Sequence, residues 1–340
     1  MSSKILEYAR LLRLPGLGGL SIAPVFGALS VGVFDIYKLS ILFLIGAFAS
    51  IYGFVLNDYI DVDVDKRSKE LSMRPLVKGT VSKQAALFIC IFCFIATLVT
   101  IFIVFFTNQP SFYYGLLCIV ASAGLGTFYN LYGKRIIGSD FIVALSEAFL
   151  VLFAAFIVLP LDGTFTIFTY LVFLLTFNQL VYENAVSGGI KDADHDPLMN
   201  VKNIALTSGV SVTPTQQLII PKTFVTFGLG IRIMSMIFIF TPMLFYKNIY
   251  QYELCNIVFM IIFAIGVFIL SIKLLRLKQF NRNRIRKLIT GQTFLRYSLV
   301  PLMLIPLVGI HTTLVLILLP FLWYLSFTPL VKGKLFKPEM

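Results

Sequence analysis

Charge is what this sequence has least of. Only 13% of its 340 residues are Asp, Glu, Lys or Arg, and just 16 are acids. With 58% hydrophobic residues beside so little charge, the chain falls outside the composition of soluble domains. Cysteine is sparse too. Of the four, Cys90 and Cys93 form a C-x-x-C, but it lies within an apolar run without polar neighbours, so it reads as packing rather than redox chemistry, and Cys118 and Cys255 read the same way. Lys and Arg are missing altogether from the connections near 107–112 and 160–164. A nucleic-acid partner is excluded by the way the net charge of +12 is divided among separate loops, where topology and anionic headgroups account for it.

Long apolar runs are abundant. A membrane-spanning helix takes about 20 residues, and runs of that order fall near 17–34, 39–56, 85–106, 112–129, 140–160, 165–182, 223–245, 254–275 and 297–327. This predicts an all-α membrane protein of nine helices, or ten if the last run, with Pro301, Pro306 and Pro320, is two helices rather than one kinked one. The first run is long enough to be a retained helix rather than a signal peptide.

Basic residues gather in alternate connections: Lys66, Arg67, Lys69, Arg74, Lys78 and Lys83; then Lys134 and Arg135; then Lys191, Lys202 and Lys222; then eight between Lys273 and Arg296. The positive-inside rule places these, and the N-terminus with Lys4, Arg10 and Arg13, on the cytoplasmic side. Lys332, Lys334 and Lys337 follow the rule only after ten crossings.

Against this scarcity, two short stretches hold seven of the acids: Asn57-Asp58-Tyr59-Ile60-Asp61-Val62-Asp63-Val64-Asp65 and Asp192-Ala193-Asp194-His195-Asp196. Each follows an even-numbered run, at the same expected membrane face. Helical spacing sets Asn57, Asp61 and Asp65 on one side with Asp58 beside them, and pairs Asp192 with Asp196 on a second helix end. Asp63 and Asp194 fall on neighbouring faces. Carboxylates so concentrated need cations, and Mg²⁺ prefers a few carboxylates completed by phosphate oxygens, which points to a diphosphate. An EF-hand is excluded, because the positions that need Gly and Glu hold Lys66 and Ser72 in the first stretch and Pro197 and Asn203 in the second. A cation-coupled transporter is the alternative of another class; transporters place ion sites near the midplane, whereas these acids lie at helix ends. The spacing of the two clusters suggests two halves, about 10–135 and 138–275, within a single domain 1–340, without an extended repeat.

At these residues the chain resembles the UbiA superfamily of intramembrane prenyltransferases. The pattern Asn-Asp-x-x-Asp-x-x-x-Asp is met by Asn57, Asp58, Asp61 and Asp65, and the following Arg-Pro-Leu-x-x-Gly by Arg74, Pro75, Leu76 and Gly79. Asp192 and Asp196 match the second Asp-x-x-x-Asp, and Phe128 to Arg135 looks like the aromatic helix end before a Lys-Arg pair. The second motif departs from the pattern, with Asp194 for the usual Glu and His195, Asn200 and Asn203 where Gly and Thr are common.

The resemblance implies a helical bundle around a central cavity, closed on the cytoplasmic side and open to lipid. It further implies Mg²⁺-dependent transfer from an allylic polyprenyl diphosphate to a lipophilic acceptor. Asn57, Asp61, Asp65, Asp192 and Asp196 would hold metal, with Asp58 beside them. Arg74, Lys134, Arg135, Lys191 and Lys202 would meet the diphosphate, and Tyr129 the cavity. Glu147, a carboxylate inside the fifth run, would serve acceptor binding or proton removal. The second motif, preceded by Ile190-Lys191, is closest to archaeal lipid enzymes, so the acceptor expected is geranylgeranylglyceryl phosphate; an aromatic acid of the 4-hydroxybenzoate type is the alternative. Arg232, in the seventh run, is expected to snorkel towards the cytoplasmic face.

Overall fold

The computed structural model describes residues 3–66 and 71–332; Arg67, Lys69, Lys334 and Lys337 lie outside them. The first segment is broken into α1 (Ser3–Leu11), a 3₁₀ turn (Leu14–Gly16), α2 (Leu17–Leu20) and α3 (Ala23–Ser30). Long helices follow: α4 (Ile36–Asp65), α5 (Lys83–Phe105), α6 (Pro110–Tyr132), α7 (Ser139–Ile157) and α8 (Ile167–Val181). Then come a π-helical segment (Tyr182–Gly188), the short α9 (Gly189–Lys191) and α10 (Ile204–Thr207), and a hairpin of β1 (Ser211–Val212) with β2 (Leu218–Ile219). α11 (Lys222–Phe245), α12 (Leu254–Leu275), α13 (Arg282–Met303) and α14 (Ile305–Lys332) complete the bundle. Among the described residues, seven helices are long and apolar enough to cross a membrane, or eight if the bent pair Lys4–Leu11 and Leu14–Ser30 is one span.

Local chemistry sets the boundaries. Ser82, Thr166 and Asn281 cap α5, α8 and α13, their side-chain oxygens accepting from Ala85 N, Phe168 N and Arg284 N, and Pro110 opens α6 at a position where no amide is needed. Small residues let helices meet closely, as is usual in lipid. A Cβ on Gly27 would lie 2.2 Å from Val151 O, and one on Gly46 2.2 Å from Ser21 O, so these contacts admit only glycine.

The structure differs from the sequence reading in three places and decides a fourth, the last run, that the sequence leaves open between one helix and two. α4 does not end before its acids: its 30 residues extend about 45 Å, well beyond the ~30 Å hydrocarbon core, so one helix carries both the apolar run and the acidic motif. The basic stretch expected as a loop from Lys273 to Arg296 is largely α13, whose first half is polar and whose second half is buried. The last run is two helices parted at Leu304, and the second bends at Gly309, whose φ of 73° is costly for other residues. A small hairpin, not foreseen in an all-α chain, closes the loop after the second acidic stretch.

Contacts at the two ends establish direction. Arg10 Nε donates to Val331 O (3.2 Å) and Trp323 Nε1 to Leu14 O (2.8 Å), so the end of α14 returns to the start of the chain. At the opposite end, Tyr252 OH donates to Met303 O (2.6 Å) and Ser30 Oγ to Thr169 Oγ1 (3.0 Å). One core cluster lies towards that end, around Phe168, Leu175, Met260 and Met303. A second lies beneath the second acidic stretch, around Tyr182, Val186, Ile190 and Leu274.

Candidate active site

The final turns of α4 direct Asp58, Asp61 and Asp65 inward, leaving them 6%, 6% and 2% exposed, while Asp63 on the opposite side is exposed and pairs with Lys66 and Lys83. Carboxylates buried this way require partners. Arg74 Nη1 reaches Asp65 Oδ2 at 2.6 Å and Asp58 Oδ1 at 3.2 Å, tying the loop after α4 back onto the helix. Arg13 Nη2 is 3.3 Å from the same Asp58 oxygen, from a left-handed backbone at φ 51°. Lys134 Nζ lies 2.8 Å from Asp61 Oδ1. Asn57 donates to Asn130 Oδ1 (3.4 Å), and Asn130 donates in turn to Gly53 O (3.0 Å). Burial raises the Asp65 carboxyl above its ordinary value, with Arg74 and Lys134 only partly opposing.

The second cluster has another build. α9 ends at Lys191 with Asp192 as its C-cap, so Asp192 sits at a helix end as expected while Asp196 lies beyond it; Asp196 N donates to Asp192 O (3.0 Å) across a single turn, and Asp196 then opens a 3₁₀ segment. The His195 ring stands among three acids, with Nδ1 3.1 Å from Asp194 Oδ1 and Nε2 3.6 Å from Asp196 Oδ1 and 4.0 Å from Asp192 Oδ1. Its pKa is raised, first by the hydrogen bond to Asp194. Burial would raise Asp194 as well, but that hydrogen bond and the Arg282 guanidinium leave it lowered. Asp196 is pushed up to about 6 by burial and by the Asp192 charge, and accepts from Asn203 Nδ2 (2.8 Å). Lys191 Nζ is 3.5 Å from Asp192 Oδ2.

The 3₁₀ turn after α6 joins the clusters. The Lys134 carbonyl accepts from Lys202 N (2.9 Å) while its ammonium holds Asp61, so one residue touches the first cluster and the loop that carries the second. Tyr129, one turn earlier, lies within electrostatic reach of Asp61, Asp140, Asp192 and Asp196. Of the residues expected here, Asn57, Asp58, Asp61, Asp65, Arg74, Tyr129, Lys134, Lys191, Asp192 and Asp196 gather at this end. The side chains of Arg135 and Lys202 are exposed. Glu147 is half-buried in α7, within electrostatic reach of Tyr297 on α13. Among the described residues, no group of three His, Cys, Asp or Glu side chains is arranged to hold one ion.

Sequence reasoning missed Arg13, Asn130 and Arg282. Arg13 and Arg282 had been read only as orienting charges, and their partners lie 45 and 88 residues away. Arg232 is a correction: rather than snorkelling, it is 3% exposed and held inside the bundle by Ser271 and Gln292.

The model of the UbiA prenyltransferase family matches residues 20–299. This chain belongs to the UbiA prenyltransferase family. The resemblance read from the motifs is thus borne out over most of the chain. A protohaem IX farnesyltransferase from Acinetobacter baylyi is 38% identical over 101 residues, 29% of this chain and 32% of that protein. One from Metallosphaera sedula is 34% identical over 91 residues, 26% of this chain and 31% of that protein. The matched stretch spans about a third of these curated relatives. Solved folds agree over greater lengths. A digeranylgeranylglyceryl phosphate synthase superposes with TM-score 0.63 at 19% identity, covering 90% of this chain and 99% of that one. A UbiA homologue from Archaeoglobus fulgidus, bound to GPP and Mg²⁺, gives 0.58 at 17% identity, covering 88% and 99%.

Proposed function

We propose that this UbiA family member transfers a prenyl group from an allylic polyprenyl diphosphate to a lipophilic acceptor, in a cavity beneath the two acidic clusters. The observation that carries the proposal is Lys134, which joins both clusters at one end of the bundle. The residues fit magnesium by donor chemistry. All candidate ligands are hard oxygens, and the acids matched to Arg74 and Lys134 are the type of donor Mg²⁺ takes together with phosphate oxygens. Asn57, Asp61, Asp65, Asp192 and Asp196 would hold Mg²⁺, which when bound neutralises the diphosphate and makes it a better leaving group.

The chain's own groups perform the remaining tasks. Arg74, Lys134 and Lys191 pair with oxygens on which charge grows as the allylic C–O bond breaks and its electron pair leaves with diphosphate. Tyr129 and the aromatic residues of the helix ends exclude water and face the allylic cation with π surfaces. The acceptor's nucleophilic atom then forms the new C–C or C–O bond and loses its proton. Glu147, half-buried in α7, is the base this reading assigns.

Ten crossings with both termini on the cytoplasmic side account for the charge distribution. The segment Ile167–Lys191 serves as one span and α13 as another, and the contact of Arg10 with Val331 brings the end of α14 to the same side as α1. Accessibility labelling of cysteines introduced at Lys83 and Gln109 tests that orientation.

For the acceptor, geranylgeranylglyceryl phosphate remains the reading from the second motif and an aromatic acid its alternative. The relatives at 34–38% identity add protohaem. The deciding experiment offers purified protein in nanodiscs radiolabelled prenyl diphosphate, Mg²⁺ and each acceptor separately. Product lost in Asp61→Ala and Asp192→Ala supports transfer; absence of donor binding returns the cation-coupled transporter.

A further inference from the structure

One cluster of charge lies away from the acidic end, inside the bundle. Arg232 of α11 donates through Nε to Ser271 Oγ (3.0 Å) and through Nη2 to Gln292 Oε1 (2.7 Å), and its guanidinium lies 3.4 Å from the centroid of the Tyr182 ring. Arg296, one turn beyond Gln292 on α13, pairs with Glu183. Arg232, Gln292 and Arg296 are 3%, 3% and 5% exposed.

Two nitrogen donors in this cluster, Gln292 Nε2 and Arg296 Nε, are buried without a hydrogen-bond partner, as is the Tyr182 hydroxyl beside them. A buried donor left unpaired forfeits its hydration with nothing in return. Both border a narrow cleft, also lined by Ser187 and Thr293, with room for about one water-sized group. The chain is locally opened here, because Glu183 and Ser187 belong to the π-helical segment, an irregularity common at functional sites. The charges leave a surplus of one: Glu183 offsets Arg296, while Arg232 bonds only to neutral oxygens. Glu183 lies nine residues before Asp192, roughly 13 Å along a helical path. Tyr297, the residue after Arg296, lies within electrostatic reach of Glu147 on α7.

We propose that Arg232, Gln292 and Arg296 form a buried monoanion site that takes a carboxylate of the acceptor. A single uncompensated positive charge, two spare donors and one water-sized space suit a flat carboxylate oxygen; a phosphate brings more charge and three further oxygens. This assignment rests on the prenyl-transfer reading for the word acceptor, while the anion site stands on its own geometry. It favours a carboxylated acceptor over geranylgeranylglyceryl phosphate.

The test measures binding without donor or metal. Wild-type protein in nanodiscs is titrated with 4-hydroxybenzoate and protoporphyrin IX, and with their methyl esters. At least one acid is expected to bind tenfold or more tightly than its ester. Gln292→Glu keeps the oxygen acceptors for Arg232 and Ser271 but places a carboxylate where the ligand's would lie. It is expected to erase that preference while the melting temperature holds or rises; Arg232→Gln is expected to erase it too. A purely structural cluster would keep the acid-to-ester ratio in Gln292→Glu, and that result overturns the site. Equal binding of acid and ester to the wild type, the outcome for a cleft holding only water, also overturns it. Acid binding followed by no product when donor and Mg²⁺ are added would leave the site standing and defeat the prenyl-transfer reading instead.

Discussion

The two acidic clusters differ in how they are held. In the first, three carboxylates are locked on one face of α4, nearly removed from solvent, and matched by Arg13, Arg74 and Lys134. In the second, Asp192, Asp194 and Asp196 lie on a turn, half-exposed, and share His195. A helix presents acids at fixed spacing and can afford to bury them only when cations are fixed opposite; the turn leaves its acids more exposed, each held by its own neighbour, Lys191, Arg282 or Asn203. We therefore regard the first cluster as the rigid wall of the site and the second as its adaptable wall.

The largest effect tests what the walls share. Asp61→Asn and Asp192→Asn should each lower prenyl transfer about a hundredfold or more, measured as labelled product, and chelation with EDTA should abolish it until Mg²⁺ is returned. Equal losses would show that both walls meet the same diphosphate, and a loss confined to one would break the comparison. Stability should separate them next. Asp58→Ala takes from Arg13 its carboxylate partner and leaves Arg74 with Asp65 alone, and should lower stability by about 2 kcal/mol in thermal melts in nanodiscs, whereas Asp192→Ala should change it by less than about 0.5 kcal/mol. Lys134→Ala, which takes the ammonium from Asp61 but keeps the backbone bond to Lys202, should raise the KM for prenyl diphosphate about tenfold; Arg135→Ala, whose side chain is exposed, should leave it unchanged. The smallest effect belongs to His195→Asn, expected to alter turnover by less than about threefold because its neighbours remain solvated.

Much of the first wall was legible before any fold was known. Asn57, Asp58, Asp61 and Asp65 share a face by helical periodicity alone, and in the structure that periodicity is met by a continuous helix. The second wall was harder to read, since Asp192 and Asp196 have helical spacing but belong to one turn after α9; spacing cannot tell a helix from a single turn that makes the same i to i+4 hydrogen bond. Arg74 was found because it follows its acids closely, whereas Arg13 and Arg282 were not, because nothing local marks a pairing across the bundle. Arg232 was misread for a related reason: a lone cation in an apolar run can reach for the surface or find partners inside, and only the positions of Ser271 and Gln292 decide between them.

Hydropathy and charge placement by themselves determined that this is a helical membrane protein with acids concentrated at helix ends, since the cost of putting polar groups in lipid is local to each segment. Tertiary structure alone decided which base meets which acid, that Lys134 joins the two walls, and that Arg232, Gln292 and Arg296 form a charged cleft within the bundle. Those outcomes depend on contacts between helices far apart in sequence, where burial, not composition, sets the value of a charge.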